Sequence, residues 1–176
     1  FLKKMESIQI IYKDGDKQLA LKKLKGIPDE SVTSAERAKK YNMIGVIYFS
    51  NRNLTKAIEN FQLAKQYVDK DYQLASQINL NLASTYYKSN KIELSRNVLK
   101  AVNLDYFKES EKKKFYKLNL SVANQMDDTK EIVDSLIFLM GDLKSFSNVE
   151  DYQYKELLVD NYRKLSSTQR VHFLDK

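Results

Sequence analysis

Hydrophobic residues recur along this chain with the 3.6-residue spacing of amphipathic helices, and short polar segments separate one stretch from the next. The clearest stretch covers residues 35–50, and Thr33 and Glu36 in front of it match the Thr-x-x-Glu pattern of a helix start. The polar segment 51–53 interrupts the pattern, which resumes over 54–68. We predict that these two stretches form one helical hairpin.

The same alternation predicts four more hairpins, the last of them truncated, with polar turns between their helices. Gly141 follows one helix directly and is predicted to end it in the left-handed conformation. The linkers 26–34 and 142–150 are too short to join independently moving parts, so we predict a single domain over residues 1–176. The predicted helices are 2–12 with 17–25, 72–88 with 92–102, 111–126 with 129–140, and 151–165 with 169–174.

A repeat of 38 residues underlies these hairpins. When the repeats are aligned, one column holds mostly small residues, and the column three positions later holds mostly aromatic residues. Repetition of this length indicates stacked units, since one hairpin cannot bury its apolar faces alone. We predict an all-α solenoid of about five hairpins, and we expect the chain to be a fragment of a longer one. The two columns are Gly45, Ala83, Ser121 and Val159, and Tyr48, Tyr86, Asn124 and Tyr162.

These residues resemble the tetratricopeptide repeat. Residues 39–69 match its pattern of aromatic, aliphatic and small positions at every spacing, through Tyr41, Ile44, Gly45, Tyr48, Ala57, Phe61 and Ala64. The next unit matches less fully, and the period of 38 departs from the family's 34. The resemblance implies a right-handed superhelix in which Tyr48, Phe61 and Tyr86 belong to the core.

The resemblance also implies a concave groove formed by the first helices of the hairpins, where such proteins hold an extended peptide or a partner helix. It implies no chaperone-tail clamp, because Met43 and Ser121 stand where that clamp needs asparagine after Lys39 and Lys117. The implied groove residues are Asn42, Val46, Phe49, Gln77, Leu80, Ser84, Tyr87, Lys88, Leu118, Val122, Gln125 and Arg163, with Glu156 and Asp160 beside the last.

The composition restricts the possible classes of function but does not identify a partner. The chain has one proline, four glycines, no cysteine and a net charge of +7. The excess is mostly lysine, whereas phosphate recognition favours the planar fork of arginine, so we do not expect nucleic-acid binding. No apolar stretch approaches the roughly 20 residues that cross a membrane, so we expect no membrane insertion in this segment.

We expect no catalysis, cofactor or metal. His172 is the one histidine and has no cysteine partner. Asp14-Gly15-Asp16 resembles a calcium loop at first sight, but Leu19 occupies the position of that loop's turn glycine.

The leading hypothesis is therefore a non-catalytic scaffold or adaptor that binds a protein or peptide. The alternative is a regulatory or sensor module of a larger signalling or envelope protein that responds to a peptide ligand. A third hypothesis, less favoured, is RNA binding through Lys22, Lys23, Lys25 and 112–114. Self-association through exposed solenoid ends is a further expectation. The location stays open between the cytoplasm and, behind a removed signal peptide, an extracytoplasmic or periplasmic compartment.

Overall fold

Helices account for all the regular secondary structure in the computed structural model, which describes residues 1–141, 149–171 and 173. No strand occurs in these ranges, so the prediction of an all-α fold is confirmed. The helices are α1 Leu2–Lys13, α2 Lys17–Lys25, α3 Ser34–Ser50, α4 Leu54–Tyr67, α5 Tyr72–Lys88, α6 Ile92–Leu99, α7 Glu109–Gln125, α8 Thr129–Met140, α9 Val149–Lys164 and α10 Ser167–Val171. Short 3-10 helices occupy Asp29–Ser31 and Leu104–Tyr106.

Consecutive helices pack in pairs. The pairs are α1 with α2, α3 with α4, α5 with α6, and α7 with α8, and α4 and α8 also pack on the first helix that follows them. The chain divides into two compact units, unit 1 over residues 1–106 and unit 2 over residues 107–176. Each hairpin thus lies within one unit, and the single domain expected from the sequence remains a prediction.

One turn geometry recurs between the two helices of four hairpins. A residue with positive φ stands two positions before each second helix: Gly15 (98°), Arg52 (60°), Asn90 (57°) and Asp127 (51°). The amide of the next residue donates to a carbonyl five positions back, as Asn53 N–H does to Tyr48 at 2.9 Å and Lys91 N–H to Tyr86 at 2.9 Å. This is the Schellman arrangement, which satisfies carbonyls at a helix end. The predicted turns are therefore confirmed.

Side-chain caps start most of these helices. Thr33 and Glu36 form the predicted capping box, with the Glu36 carboxylate accepting from Thr33 N–H at 2.9 Å. That hydrogen bond is also the main reason that the pKa of Glu36 is lowered. Asp16, Asn53 and Asp128 cap α2, α4 and α8 with their own side chains, each of which accepts from the amide three residues later.

Two sequence predictions about helix ends are wrong. Gly141 is right-handed, with φ of −59°, because its amide reaches the Phe138 carbonyl at 3.2 Å without a left-handed turn. The helix predicted over 92–102 ends at Leu99. Beyond it, the Ala101 carbonyl accepts from Asn79 and the Asn103 amide donates to Ser76 Oγ, so contacts with α5 replace further helical bonds.

The core of unit 1 depends on a close approach of α3 to α4. A Cβ built on Gly45 would lie 2.6 Å from Cε1 of Phe61, which is closer than real side chains pack. Phe61 is 1% exposed, and Tyr48 and Tyr86 are buried as predicted. The tyrosine hydroxyls remain bonded, since Tyr48 accepts from Lys25 at 2.8 Å and Tyr86 from Gln62 at 3.0 Å. These two bonds join α2 to α3 and α4 to α5.

Unit 2 has its own apolar core. The rings of Tyr116 on α7 and Phe138 on α8 stack with centroids 4.0 Å apart. Asn119 on α7 donates to Glu131 and Ser135 on α8, each at 3.0 Å, which satisfies a polar group inside the hairpin. The buried cluster between these helices comprises Leu120, Ala123, Ile132, Leu136 and Leu139.

Candidate peptide-binding pocket

A pocket of about 380 Å³ lies in unit 1 against the first helices of its three hairpins. It is the main candidate site, and we call it the unit 1 pocket. It combines aliphatic and thioether side chains with amides and two charged groups. The described residues that line it are Phe1, which precedes α1, Leu2, Met5, Glu6 and Gln9 of α1, Lys39, Asn42, Met43 and Val46 of α3, and Leu74 and Gln77 of α5.

The two faces of α3 explain why these side chains point to the pocket. Gly45 directs one face against Phe61 of α4. Asn42 and Val46 stand one helical turn apart on another face, so they line the pocket while Gly45 packs in the core. The packing of the hairpin thus orients the residues that line the pocket.

Two polar contacts connect α3 to α5 beside the pocket. Asn81 Nδ2 donates to Asn42 Oδ1 at 3.0 Å. Farther along both helices, Lys88 Nζ lies 4.8 Å from the ring centroid of Phe49, within the range of a cation–π contact. One hydrogen bond and one cation–π contact therefore join α3 to α5 beside the pocket, whereas Gly45 contacts α4 through the apolar ring of Phe61.

The structure places the predicted groove residues of unit 1 in three groups. Asn42, Val46 and Gln77 line the unit 1 pocket. Leu80 is 8% exposed, so its prediction as an accessible groove residue is wrong. The four others remain partly or fully accessible on α3 and α5: Phe49, Ser84, Tyr87 and Lys88.

In unit 2, the predicted residues again differ in exposure. Val122 is 2% exposed and is also corrected to a buried position. Leu118 is half-buried, and Gln125, Glu156 and Asp160 are exposed. Arg163 lines a second pocket of about 350 Å³, which is apolar and is otherwise formed by Ile137, Leu158, Val159, Tyr162 and Phe173.

The two corrections have a shared physical reason. Leu80 and Val122 are aliphatic, so their burial gains hydrophobic free energy and leaves no polar atom unsatisfied. In α5, Ser76 and Asn79 are also buried, and they bond to the segment after α6. More of the surface of α5 is therefore covered than a two-helix contact would cover, and Leu80 lies one turn after Ser76 on this helix.

Several lining residues were not predicted. Lys39 stands 38 positions before Gln77, so the repeat itself could have placed it. Asn81 does not line the pocket but donates to Asn42, and it could have been suspected as an amide beside the predicted positions of α5. Glu6 and Gln9 lie on α1, which the resemblance covers poorly, so no sequence signal marked them.

A second polar cluster lies at the start of α3. Lys40 is 4% exposed, and its Nζ donates to the Ile27 carbonyl at 3.0 Å and pairs with the Asp29 carboxylate. Tyr41 donates its hydroxyl proton to the same carboxylate at 2.5 Å, and Arg37 donates to the Asp29 carbonyl at 2.9 Å. These bonds attach the linker between α2 and α3 to the first turns of α3.

The electrostatics of this cluster favour a fixed protonation state. Desolvation alone would raise the pKa of Asp29, but the hydrogen bonds from Lys40 and Tyr41 outweigh it and the pKa is lowered. The hydrogen bond to Asp29, followed by burial, raises the pKa of Tyr41 to about 12. Tyr41 is thus held as a proton donor, which suits a structural clasp and not acid–base exchange near neutral pH.

Metal binding, membrane insertion and His172 are the remaining subjects of the sequence predictions. Within the described ranges, no group of three or more His, Cys, Asp or Glu residues is placed to hold a metal ion. No described helix is both long and apolar enough to cross a membrane. His172 lies outside the described residues.

No known protein-family model and no curated protein matches this chain. The tetratricopeptide resemblance therefore rests on the residues quoted above and stays an expectation.

Proposed function

We propose that this chain is a non-catalytic scaffold that binds a protein or peptide along the first helices of its hairpins. The observation that supports the proposal is the unit 1 pocket, which is lined by three of the residues predicted for the groove, Asn42, Val46 and Gln77. Amides beside aliphatic side chains suit a peptide, because they can bond its backbone and cover its apolar groups.

We further infer that the hairpins are units of one repeat of the tetratricopeptide type. What supports this is the spacing of the second helices, which begin at Lys17, Leu54, Ile92, Thr129 and Ser167, at intervals of 37 or 38 residues. The recurring left-handed turn before four of them is a second support.

A peptide-display selection tests the proposed function. The intact chain is immobilised and selected against a library of random twelve-residue peptides, in parallel with an Asn42→Ala/Gln77→Ala variant. A matched control, Asn97→Ala/Gln66→Ala, changes the same residue types at exposed positions of α6 and α4.

We expect related peptides to be enriched by the wild-type chain and by the control, and to be lost by the pocket variant. Circular dichroism and thermal melts would verify that all three proteins are folded. Enrichment that is equal for all three, or that is absent from all three, would contradict peptide binding at the unit 1 pocket.

A further inference from the structure

Two lysines lie near the two ends of the α3 face that lines the unit 1 pocket. Lys39 lines the unit 1 pocket near the start of this helix. Lys88, at the end of α5, lies over Phe49 near the end of α3. Both side chains are exposed, and neither forms an ion pair in the described part of the chain. Two accessible cations therefore stand at separate points along one surface.

The distance between these points corresponds to a short piece of extended peptide. Ten residues separate Lys39 from Phe49, and a helix rises 1.5 Å per residue, so the two points are about 15 Å apart along α3. An extended chain advances about 3.3 Å per residue, so the same distance takes about four to five residues. Asn42 and Val46 lie between the lysines and offer an amide and an aliphatic surface.

We propose that the occupant of the unit 1 pocket is an extended acidic peptide with two carboxylates four or five residues apart and a small apolar residue between them. One carboxylate pairs with Lys39 and the other with Lys88, while the apolar residue covers Val46. This inference rests on the proposed function and specifies its ligand. The net charge of +7 adds a long-range attraction for such a segment.

The lining residues favour an acidic peptide over RNA. No arginine is among the described residues of the pocket, although arginine matches phosphate oxygens best. Its floor contains Met5, Met43 and Leu74, which suit aliphatic side chains. Glu6 is the one acid among the described lining residues, and it is expected to weaken the binding of a nearby carboxylate.

The same display selection tests this ligand when it is read for the positions of acidic residues. The variant for this test, called the lysine variant, is Lys39→Gln/Lys88→Gln. The control is Lys22→Gln/Lys23→Gln, which removes the same charge from exposed positions of α2. We expect the wild type and the control to enrich pairs of Asp or Glu separated by four or five residues. The lysine variant should not enrich such pairs.

Affinity measurements on an enriched peptide complete the test. By fluorescence anisotropy, the Lys39→Gln/Lys88→Gln variant should bind about 5- to 30-fold more weakly, as expected for the loss of two exposed ion pairs. The control should stay within about twofold of the wild type, and Glu6→Gln should bind about two- to threefold more tightly. A peptide of equal composition with adjacent acids should bind more weakly than the spaced one.

The possible failures are distinguishable. Peptides that depend on Asn42 and Gln77 but carry no acidic pairs would overturn this inference and leave the proposed function standing. Equal binding of spaced and adjacent acids would overturn the spacing. A single-stranded RNA that displaces the peptide and loses affinity with the same two lysines would overturn the choice of ligand. The absence of any enriched peptide would contradict both proposals.

Discussion

The two sides of α3 make different kinds of contact. Toward α4, Gly45 allows the Phe61 ring to approach so closely that no Cβ fits between them. Toward α5, the contacts include an amide pair, Asn42 with Asn81, and a lysine over Phe49. The first contact excludes solvent and stabilises the hairpin, whereas the second leaves polar groups accessible beside a pocket. Stability and the proposed binding thus depend on separate faces of one helix.

Removing the ring on the packed side should have the largest effect. Phe61→Ala deletes a buried aromatic side chain and is expected to lower the free energy of unfolding by about 3–5 kcal/mol in urea titrations. Gly45→Ala alone should also destabilise, by about 1–2 kcal/mol, because the ring must move.

The two substitutions together sharpen this prediction. With the ring absent, Gly45→Ala should become neutral or stabilising by up to about 1 kcal/mol, since alanine is the better helix former. If Phe61→Ala does not fold, Phe61→Leu can serve as the background. A Gly45→Ala cost that persists unchanged without the ring would contradict the close-contact account.

Breaking the polar cluster of Asp29, Lys40 and Tyr41 at the start of α3 should have an intermediate, pH-dependent effect on stability. Asp29→Asn is expected to cost about 1–2 kcal/mol at neutral pH, because buried Lys40 loses its anionic partner. The folded state favours ionised Asp29, since its pKa is lowered. The stability difference between wild type and variant should therefore be fully present above about pH 4 and should shrink as the pH falls below it.

Urea unfolding at a series of pH values measures this effect, with Glu30→Gln as a neighbouring control. A difference that stays constant from pH 6 to pH 3 would rule out the Asp29 contribution. At the alkaline end, the raised pKa of Tyr41 implies a second loss of stability as the pH rises from about 10 toward 12.

The polar side of α3 should be the least sensitive. Asn42→Ala and Asn81→Ala are each expected to cost about 0.5–1.5 kcal/mol, because one accessible hydrogen bond is lost. The double variant should cost little more than either single one, since both remove the same bond. Losses on the scale of Phe61→Ala would break the distinction between the two sides, and exposed Asn97→Ala provides the baseline.

The sequence predicts well what depends on neighbouring residues. The capping box at Thr33, the turns before the second helices and the all-helical fold follow from local chemistry and helical periodicity. The predicted burial of Tyr48 and Phe61 is also correct, and glycine at position 45 leaves room for the Phe61 ring to pack against α3.

Features that depend on a third element were missed. Leu80 is buried in a helix that other segments cover on several sides, and periodicity within α5 does not reveal them. The contribution of Glu6 and Gln9 requires α1 to approach α3 and α5, which no spacing in the sequence specifies. The candidate site was therefore predicted on α3 and α5 and not on α1.

The buried position of Lys40 offers a chemical reporter of motion. Amine-acylating reagents react with lysines that solvent can reach, and the Lys40 amine is enclosed by the Ile27 carbonyl and Asp29. Its acetylation therefore requires the linker after α2 to detach, so the labelling rate reflects how often this part of unit 1 opens. Mass spectrometry of a labelling time course would follow that opening in the otherwise native protein.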